Sequence, residues 1–276
     1  LARHPADGLA AGHAAQALFA RRDERAVAVA AQALALRPRN SGLHRLAARM
    51  LMAGHHPAQA QVEFRLALAW CDDHEALDIL DEIVALFPDP TEAARALPIE
   101  ERQAWRLQKL LGYRGRTELA LAYAARVLDY EPNRADAHLD LAQAAMRLGK
   151  FALAREHAEV AYRAAPTTQS ALVLARAQAA TASPGAAVET LRSAPPTPDG
   201  TLSAEVAAEL AAQLRAIGDV DGARAVLLDA IDAAASPELE AILRRHYAEL
   251  EEAAGNRNRA AFERQKADEL APPTGG

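Results

Sequence analysis

The sequence is poor in the features that mark disulfide-bonded, membrane-spanning and nucleic-acid-binding proteins. Its single cysteine, Cys71, excludes an intrachain disulfide. No apolar run approaches the roughly 20 residues that a membrane-spanning helix requires. Aromatic residues make up 4% of the chain, and Asn-Gly turns are missing, which disfavours a β-sandwich or barrel. With a net charge of -6 and no basic stripe, the chain is not expected to bind nucleic acid.

Lysine is also scarce, since it occurs only at Lys109, Lys150 and Lys266, and the other basic residues are arginines. This bias indicates a GC-rich, bacterial genome. The chain begins at Leu1 rather than at a methionine, which is compatible with removal of a signal peptide, a lipid anchor or a neighbouring domain. The compartment therefore stays open between the cytoplasm and the periplasm.

The motifs of common enzymes are missing as well. The sequence contains no HExxH, GxSxG, GxxxxGK or GxGxxG pattern. The stretch WCDDHE, residues 70–75, gathers metal-ligating side chain types, but adjacent residues rarely converge on one ion, and we interpret it as a connector with an aspartate N-cap. DVDG, residues 219–222, lacks the rest of a calcium loop. We therefore expect neither catalysis, nor a cofactor, nor a bound metal.

What the sequence does contain is a pattern of small and turn-forming residues with a period of 34 residues. Each period predicts two amphipathic helices joined by a glycine turn and ended by a proline, which cannot continue a helix. Alanines where the two helices cross keep their axes close together. Two units, 101–134 and 135–168, carry the matched pairs Leu107 and Leu141, Gly115 and Gly149, Ala120 and Ala154, Ala124 and Ala158, and Pro132 and Pro166.

This pattern resembles the tetratricopeptide repeat, whose 34-residue unit has alanine at positions 8, 20 and 27 and proline at position 32. The same offsets recur in 7–40, 41–74, 204–237 and 241–274, so the resemblance covers nearly the whole chain. It implies an all-α fold, a right-handed superhelical solenoid of antiparallel helix pairs with about seven to eight repeats.

Two stretches depart from the repeat, and we interpret both as degenerate units. Residues 75–100 contain three prolines, which leave room for only a short second helix, and residues 169–193 have a shortened second helix. The predicted organisation is N-terminal repeats over 1–193, a Pro- and Gly-rich break at 194–202, C-terminal repeats over 203–270 and a disordered tail over 271–276.

In the tetratricopeptide family, the first helix of each unit lines a concave groove with positions 2, 5, 9, 12 and 13. Among the residues at these positions, Trp105, Lys109 and Tyr113 share one helix face at i, i+4 and i+8. Aromatic rings beside flexible methionine and arginine are what binding hot spots favour. The implied groove set is Arg45, Arg49, Met52, Arg102, Trp105, Lys109, Tyr113, Leu139, Gln143 and Met146.

Two parts of this groove have a second interpretation. Arg45 and Arg49 fit equally well on a solvated helix face with salt bridges to Asp78 or Glu82. Beyond the fifth unit, the implied lining is small and apolar, which suits a hydrophobic ligand rather than a peptide. That lining consists of Val173, Ala177, Ala180, Ala208 and Ala212.

Three functions fit these observations. The first is a non-catalytic protein-interaction scaffold that binds a partner peptide or helix in the groove, within a bacterial assembly or cell-envelope complex. The second is a carrier in envelope transport that encloses a lipid or another hydrophobic molecule, with the break at 194–202 letting two halves close on it. The third is the regulatory domain of a larger enzyme. If a chain end forms a homodimer, we expect the alanine- and leucine-rich N-terminal repeat to do so.

Overall fold

The computed structural model describes residues 7–197 and 202–271, which form helices and connecting turns without a strand. The helices follow one another as eight consecutive pairs, so the prediction of an all-α chain of paired helices is confirmed. In chain order they are α1 (Gly8–Ala20), α2 (Arg25–Leu36), α3 (Ser41–Ala53), α4 (Pro57–Trp70), α5 (Asp73–Leu86), α6 (Pro90–Ala94), α7 (Glu101–Tyr113), α8 (Thr117–Tyr130), α9 (Ala135–Arg147), α10 (Phe151–Ala164), α11 (Thr168–Ala180), α12 (Pro184–Arg192), α13 (Ala204–Ala216), α14 (Val220–Asp232), α15 (Pro237–Ala253) and α16 (Arg257–Leu270).

The chain divides into two compact units, residues 1–132 and 133–276. Unit 1 contains α1 to α8, and unit 2 contains α9 to α16. The predicted break at 194–202 lies within unit 2, and its residues 198–201 lie outside the described residues. The predicted disordered tail also lies outside them from residue 272 onwards. The subdivision at the break stays a prediction.

Small residues sit where the helices of a pair meet, as the repeat pattern requires. In unit 1, Ala48 of α3 and Ala60 of α4 are fully buried. In unit 2, Ala142 of α9 and Ala158 of α10 are fully buried in the same way. Because an alanine adds only a methyl group at the contact, the helix axes can approach closely, and larger side chains beside the contact fill the remaining core.

The turns inside the helix pairs require a left-handed backbone. Gly115 and Gly149 have φ angles of 65° and 70°, a conformation that glycine adopts without steric cost. At the corresponding turns of other pairs, Arg22, His55 and Ala182 adopt φ angles of 56°, 61° and 59°. The turn geometry is therefore set by the helix pair, and it is imposed even on residues whose side chains disfavour it.

The two shortened second helices that the sequence predicts are present as α6 and α12. After α6 ends at Ala94, the backbone continues only as a turn, in which the N–H groups of Ala96 and Leu97 donate to the carbonyls of Ala93 and Ala94. Arg126 of α8 donates to the carbonyls of Ala94 and Leu97, and Arg65 of α4 donates to the carbonyl of Arg95 at 2.6 Å. Side chains of the two flanking second helices thus replace the missing turns of α6.

Candidate binding surface

α7 is an amphipathic helix whose two faces have separate roles. Ala104, Leu107 and Leu111 follow the i, i+3, i+7 spacing of one helix face and are buried in unit 1. Glu101 in the first turn complements the positive end of the helix dipole. Because α7 packs on α5 and α8, the helix is held in place, and its opposite face is exposed to solvent.

The exposed face of α7 carries Arg102, Trp105, Lys109 and Tyr113. Trp105 is 56% exposed and Tyr113 is 81% exposed. The Lys109 ammonium lies 3.7 Å from the centre of the Trp105 ring, which is a cation–π contact. Burial of large aromatic rings is strongly favourable, so two such rings left on one exposed face mark a candidate contact surface.

The two arginines of α3 bind one carboxylate of α5. The Nε of Arg45 lies 2.6 Å from Oε2 of Glu82, and the Nε and Nη2 of Arg49 lie 2.5 and 2.8 Å from the two oxygens of the same carboxylate. Burial opposes ionisation, but the hydrogen bonds from the two guanidiniums outweigh it and lower the pKa of Glu82. The salt-bridge interpretation is therefore confirmed, with Glu82 as the partner.

A cavity of about 270 Å³ lies between α1 and α3. Arg45 and Arg49 line it together with His13 and Gln16 of α1. Both arginines therefore face the cavity in addition to binding Glu82. Met52, the third predicted residue of α3, is half-buried near the end of that helix. The two arginines of α3 therefore form an ion-paired polar surface, to which Met52 does not contribute.

Three further residues of the predicted set, Leu139, Gln143 and Met146, lie on α9 of unit 2 and are half-buried. Leu139 packs against the core cluster that includes Val173. Val173 and Ala177 are themselves buried, because α11 contacts α9, α10, α12 and α13. Val173 and Ala177 are therefore core rather than accessible lining, whereas Ala180 and Ala212 are exposed and Ala208 is half-buried.

Two buried histidines, His44 and His138, occupy the same repeat position, and each pairs with a side chain 19 residues further along; neither is in the predicted set. The Nδ1 of His44 lies 2.7 Å from a Glu63 carboxylate oxygen, and the Nδ1 of His138 lies 2.8 Å from the Nδ1 of His157, each pair 19 residues apart. Burial opposes protonation of His44, but the Glu63 carboxylate and the Pro38 carbonyl together raise its pKa. Burial and then the neighbouring His138 lower the pKa of His157. The recurrence of histidine at the fourth position of α3 and of α9 is the sequence signal for these pairs.

The predicted set also omits Asp140, which lies on α9 one turn from Asp136. Burial, and after it the Asp136 carboxylate, raise the pKa of Asp140 to about 7, although Arg134 and Arg147 oppose this. Two acidic residues at i and i+4 on one helix repel each other, and this spacing is the sequence signal.

Residues 7–197 and 202–271 include no group of three His, Cys, Asp or Glu side chains placed to hold a metal ion. Asp72 of the WCDDHE stretch accepts a hydrogen bond from the Glu75 backbone N–H at 2.8 Å and caps α5, and Asp219 caps α14. The predicted N-cap is therefore confirmed. Burial raises the pKa of the Cys71 thiol although Arg106 lies beside it, which disfavours the thiolate. In the same described ranges, no helix is both long and apolar enough to cross a bilayer.

Several solved structures share this architecture. MamA matches with a TM-score of 0.50 at 20% identity, over 59% of this chain and 94% of that one. TTC0263, a tetratricopeptide repeat protein of Thermus thermophilus, matches with a TM-score of 0.49 at 24% identity, over 63% and 93%. The Cut9–Hcn1 hetero-tetramer of the APC/C contains a match with a TM-score of 0.50 at 14% identity, over 94% and 52%. No family model and no curated protein sequence matches the chain.

At these identities the likeness concerns the fold alone. It agrees with the 34-residue period, the eight helix pairs, the alanines at the helix contacts and the left-handed turns within the pairs. The chain has a tetratricopeptide-repeat-like helical repeat fold.

Proposed function

We propose that the chain is a protein-interaction scaffold that binds a helical or extended segment of a partner protein on the exposed face of α7. The observation that carries this proposal is the placement of two large exposed rings, Trp105 and Tyr113, on one helix that the core of unit 1 holds in place. Tryptophan and tyrosine dominate interface hot spots because each buries a large ring with little loss of side-chain entropy.

The charges around the rings indicate which partner segment fits. Arg102 is exposed and has no carboxylate partner in the described part of the chain, and Lys109 lies on the Trp105 ring. A segment with apolar side chains flanked by carboxylates would cover the rings and pair with both cations. The Arg45 and Arg49 guanidiniums contribute less, because binding there competes with their ion pairs to Glu82.

Selection of a displayed random-peptide library on the purified chain tests the proposal. The same selection is run on Trp105→Ala/Tyr113→Ala and on Trp70→Ala, after circular dichroism has shown that each variant is folded. Trp70 is a matched control, because it is 46% exposed and Arg39 lies 4.9 Å from its ring centre. Peptides that bind the wild type and the control but not the double variant support the proposal. Peptides that the double variant retains would refute it.

A second candidate function, carriage of a hydrophobic ligand, rests on one cavity in unit 2. This cavity has a volume of about 460 Å³. Its lining includes the apolar side chains of Leu202, Ala230, Leu239 and Leu243. Native mass spectrometry of protein purified from its own host separates the two candidates. A bound lipid in that spectrum, together with no peptide from the selection, would favour the carrier.

A further inference from the structure

The second-helix side of unit 1 contains a notch that exists because α6 is short. α6 has 5 residues, whereas the second helices on either side of it, α4 and α8, have 14 each. The missing turns leave a cavity of about 480 Å³ bordered by all three helices. This notch is formed by side chains that the α7 face does not include.

Two arginines reach the notch from opposite sides. Arg65 of α4 and Arg126 of α8 both line it, and each donates through one nitrogen, Nη1, to backbone carbonyls at the end of α6. A guanidinium has five N–H donors, so most of the donors of both side chains remain for another acceptor. The carbonyl bonds fix the two cationic groups beside the cavity.

The notch has an excess of positive charge, although the chain as a whole carries a net charge of -6. Its lining contains three arginines, Arg65, Arg95 and Arg126, against a single acid, Asp129. Arg95 pairs with Glu92 at 3.0 Å, whereas Arg65 and Arg126 have no carboxylate within ion-pair distance among the described residues. Burial, and after it the charge of Arg65, lower the pKa of Arg126, so the like charges act on each other. An anion bound between them would relieve this repulsion.

The remaining lining consists of two polar residues, Gln61 and Thr91, and an apolar part. Tyr130 is 63% exposed, and the Arg126 guanidinium carbon lies 5.8 Å from the centre of its ring. The methyl groups of Ala58, Ala122 and Ala125 line the cavity beside it. A free phosphate ion would contact only the polar part of the lining, whereas a peptide with carboxylates and an apolar side chain would contact both parts.

We propose that this notch is a second interaction surface that binds an acidic peptide segment of a partner protein. The carboxylates of the segment pair with Arg65 and Arg126, and an apolar side chain packs on Tyr130 and the alanines. The inference is independent of the α7 face, since the two surfaces share no residue.

Fluorescence polarisation of the full chain with a short fluorescein-labelled peptide that repeats Asp-Leu-Glu tests this proposal. We expect this peptide to bind more tightly than peptides that repeat Asp-Ser-Glu or Lys-Leu-Arg. Tyr130→Ala and Arg65→Gln are each expected to raise the Kd about tenfold, which corresponds to the loss of one charge-assisted or aromatic contact. Arg192→Ala removes an exposed arginine of unit 2 and is expected to leave the Kd within about twofold.

Tyr130 makes none of the bonds to the α6 carbonyls, so Tyr130→Ala keeps the proposal testable if Arg65→Gln loosens α6. Unchanged affinity in both variants would overturn the proposal, as would the absence of binding to wild type. Displacement of the peptide by inorganic phosphate at equal concentration would show a small-anion site instead. Loss of binding in Trp105→Ala/Tyr113→Ala, but not in the notch variants, would assign the peptide to the α7 face.

Discussion

The ammonium group of Lys109 lies 3.7 Å from the centre of the Trp105 ring, so a long, flexible side chain on the exposed face of α7 is held against the larger of its two aromatic rings. An exposed cation–π contact contributes about 0.5–1 kcal/mol, which is small beside the roughly 5–15 kcal/mol by which a typical domain is stable. The main effect of the contact is to orient the charge and the ring towards a partner.

The first prediction concerns this pair. Lys109→Ala should reduce the free energy of unfolding by no more than about 1 kcal/mol, because the side chain is exposed. The same change should weaken the binding of a peptide selected on the wild type about tenfold, because the charge beside the ring is lost. Urea denaturation and fluorescence polarisation measure the two effects. Lys150→Ala, at an exposed position of unit 2, is the control and should change neither. Equal affinities of wild type and Lys109→Ala would contradict the prediction.

The turns of the helix pairs predict two substitutions with opposite effects on stability. Gly149 has a φ angle of 70°, and no atom lies within 4 Å of the position that a Cβ would occupy, so Gly149→Ala introduces backbone strain without a clash. We expect it to lower the free energy of unfolding by about 1 kcal/mol. Ala182, with φ 59°, already bears this strain, and Ala182→Gly should raise the free energy of unfolding by about 0.5 kcal/mol after the entropy cost of glycine. If urea denaturation shows that both substitutions change the free energy of unfolding in the same direction, backbone strain at these turns is not the explanation.

His44 and His157 are expected to make contributions to stability that depend on pH in opposite directions. The folded pKa of His44 is raised above its ordinary value of 6.5, so its contribution to stability is complete below about pH 6.5 and is lost as the pH rises through the folded pKa. The folded pKa of His157 is lowered, so its contribution is complete above about pH 6.5 and is lost as the pH falls through the folded pKa.

Proton NMR titration of the imidazole resonances measures the folded pKa values of His44 and His157 directly. His44 should titrate above pH 6.5 and His157 below it. In Glu63→Gln, the pKa of His44 should fall, because the hydrogen bond from the charged imidazole to a carboxylate is lost. Glu63→Gln should leave the His157 titration in unit 2 unchanged. If His44 and His157 titrate on the same side of pH 6.5, the assignment of the two environments is wrong.

Asp140 predicts a stabilising substitution in unit 2. Its pKa is raised from 3.8 to about 7, so its contribution to stability is complete below about pH 3.8 and is lost progressively as the pH rises from there through about 7. Asp140→Asn removes the ionisation and should raise the free energy of unfolding at pH 8 by about 1–2 kcal/mol relative to wild type. At pH 5 the difference should be smaller than at pH 8, because only part of the interval between pH 3.8 and 7 has been crossed. Asp232→Asn, at an exposed position, is the control, and an Asp140→Asn effect that is the same at both pH values would contradict the prediction.

The features of the fold that depend on local sequence could be predicted. Alanines 34 residues apart identify the helix contacts, because a larger side chain there would separate the helices. The prolines of 75–100 identify the shortened α6, because a helix tolerates proline in its first turn but not beyond it. Trp105 and Tyr113 could be assigned to one face of α7 by their spacing.

The features that depend on neighbouring elements could not be predicted in the same way. The sequence offers both Asp78 and Glu82 to the arginines of α3, and only the packing of α3 on α5 selects Glu82. The burial of Val173 results from the helices that surround α11, not from α11 itself. The notch depends on Arg126, whose guanidinium donates a hydrogen bond to the carbonyl of Ala94, 32 residues earlier in the chain.

The claim that the α7 face binds a partner is tested most directly by tryptophan fluorescence. The chain has two tryptophans, so Trp70→Phe leaves Trp105 as the only reporter, and Trp105→Phe leaves Trp70. When a peptide selected on the wild type is added to saturation, we predict that the emission of Trp105 moves to shorter wavelength, because its ring leaves water, and that the emission of Trp70 does not change. A shift at Trp70 with none at Trp105 would contradict the claim and place the partner elsewhere on the chain.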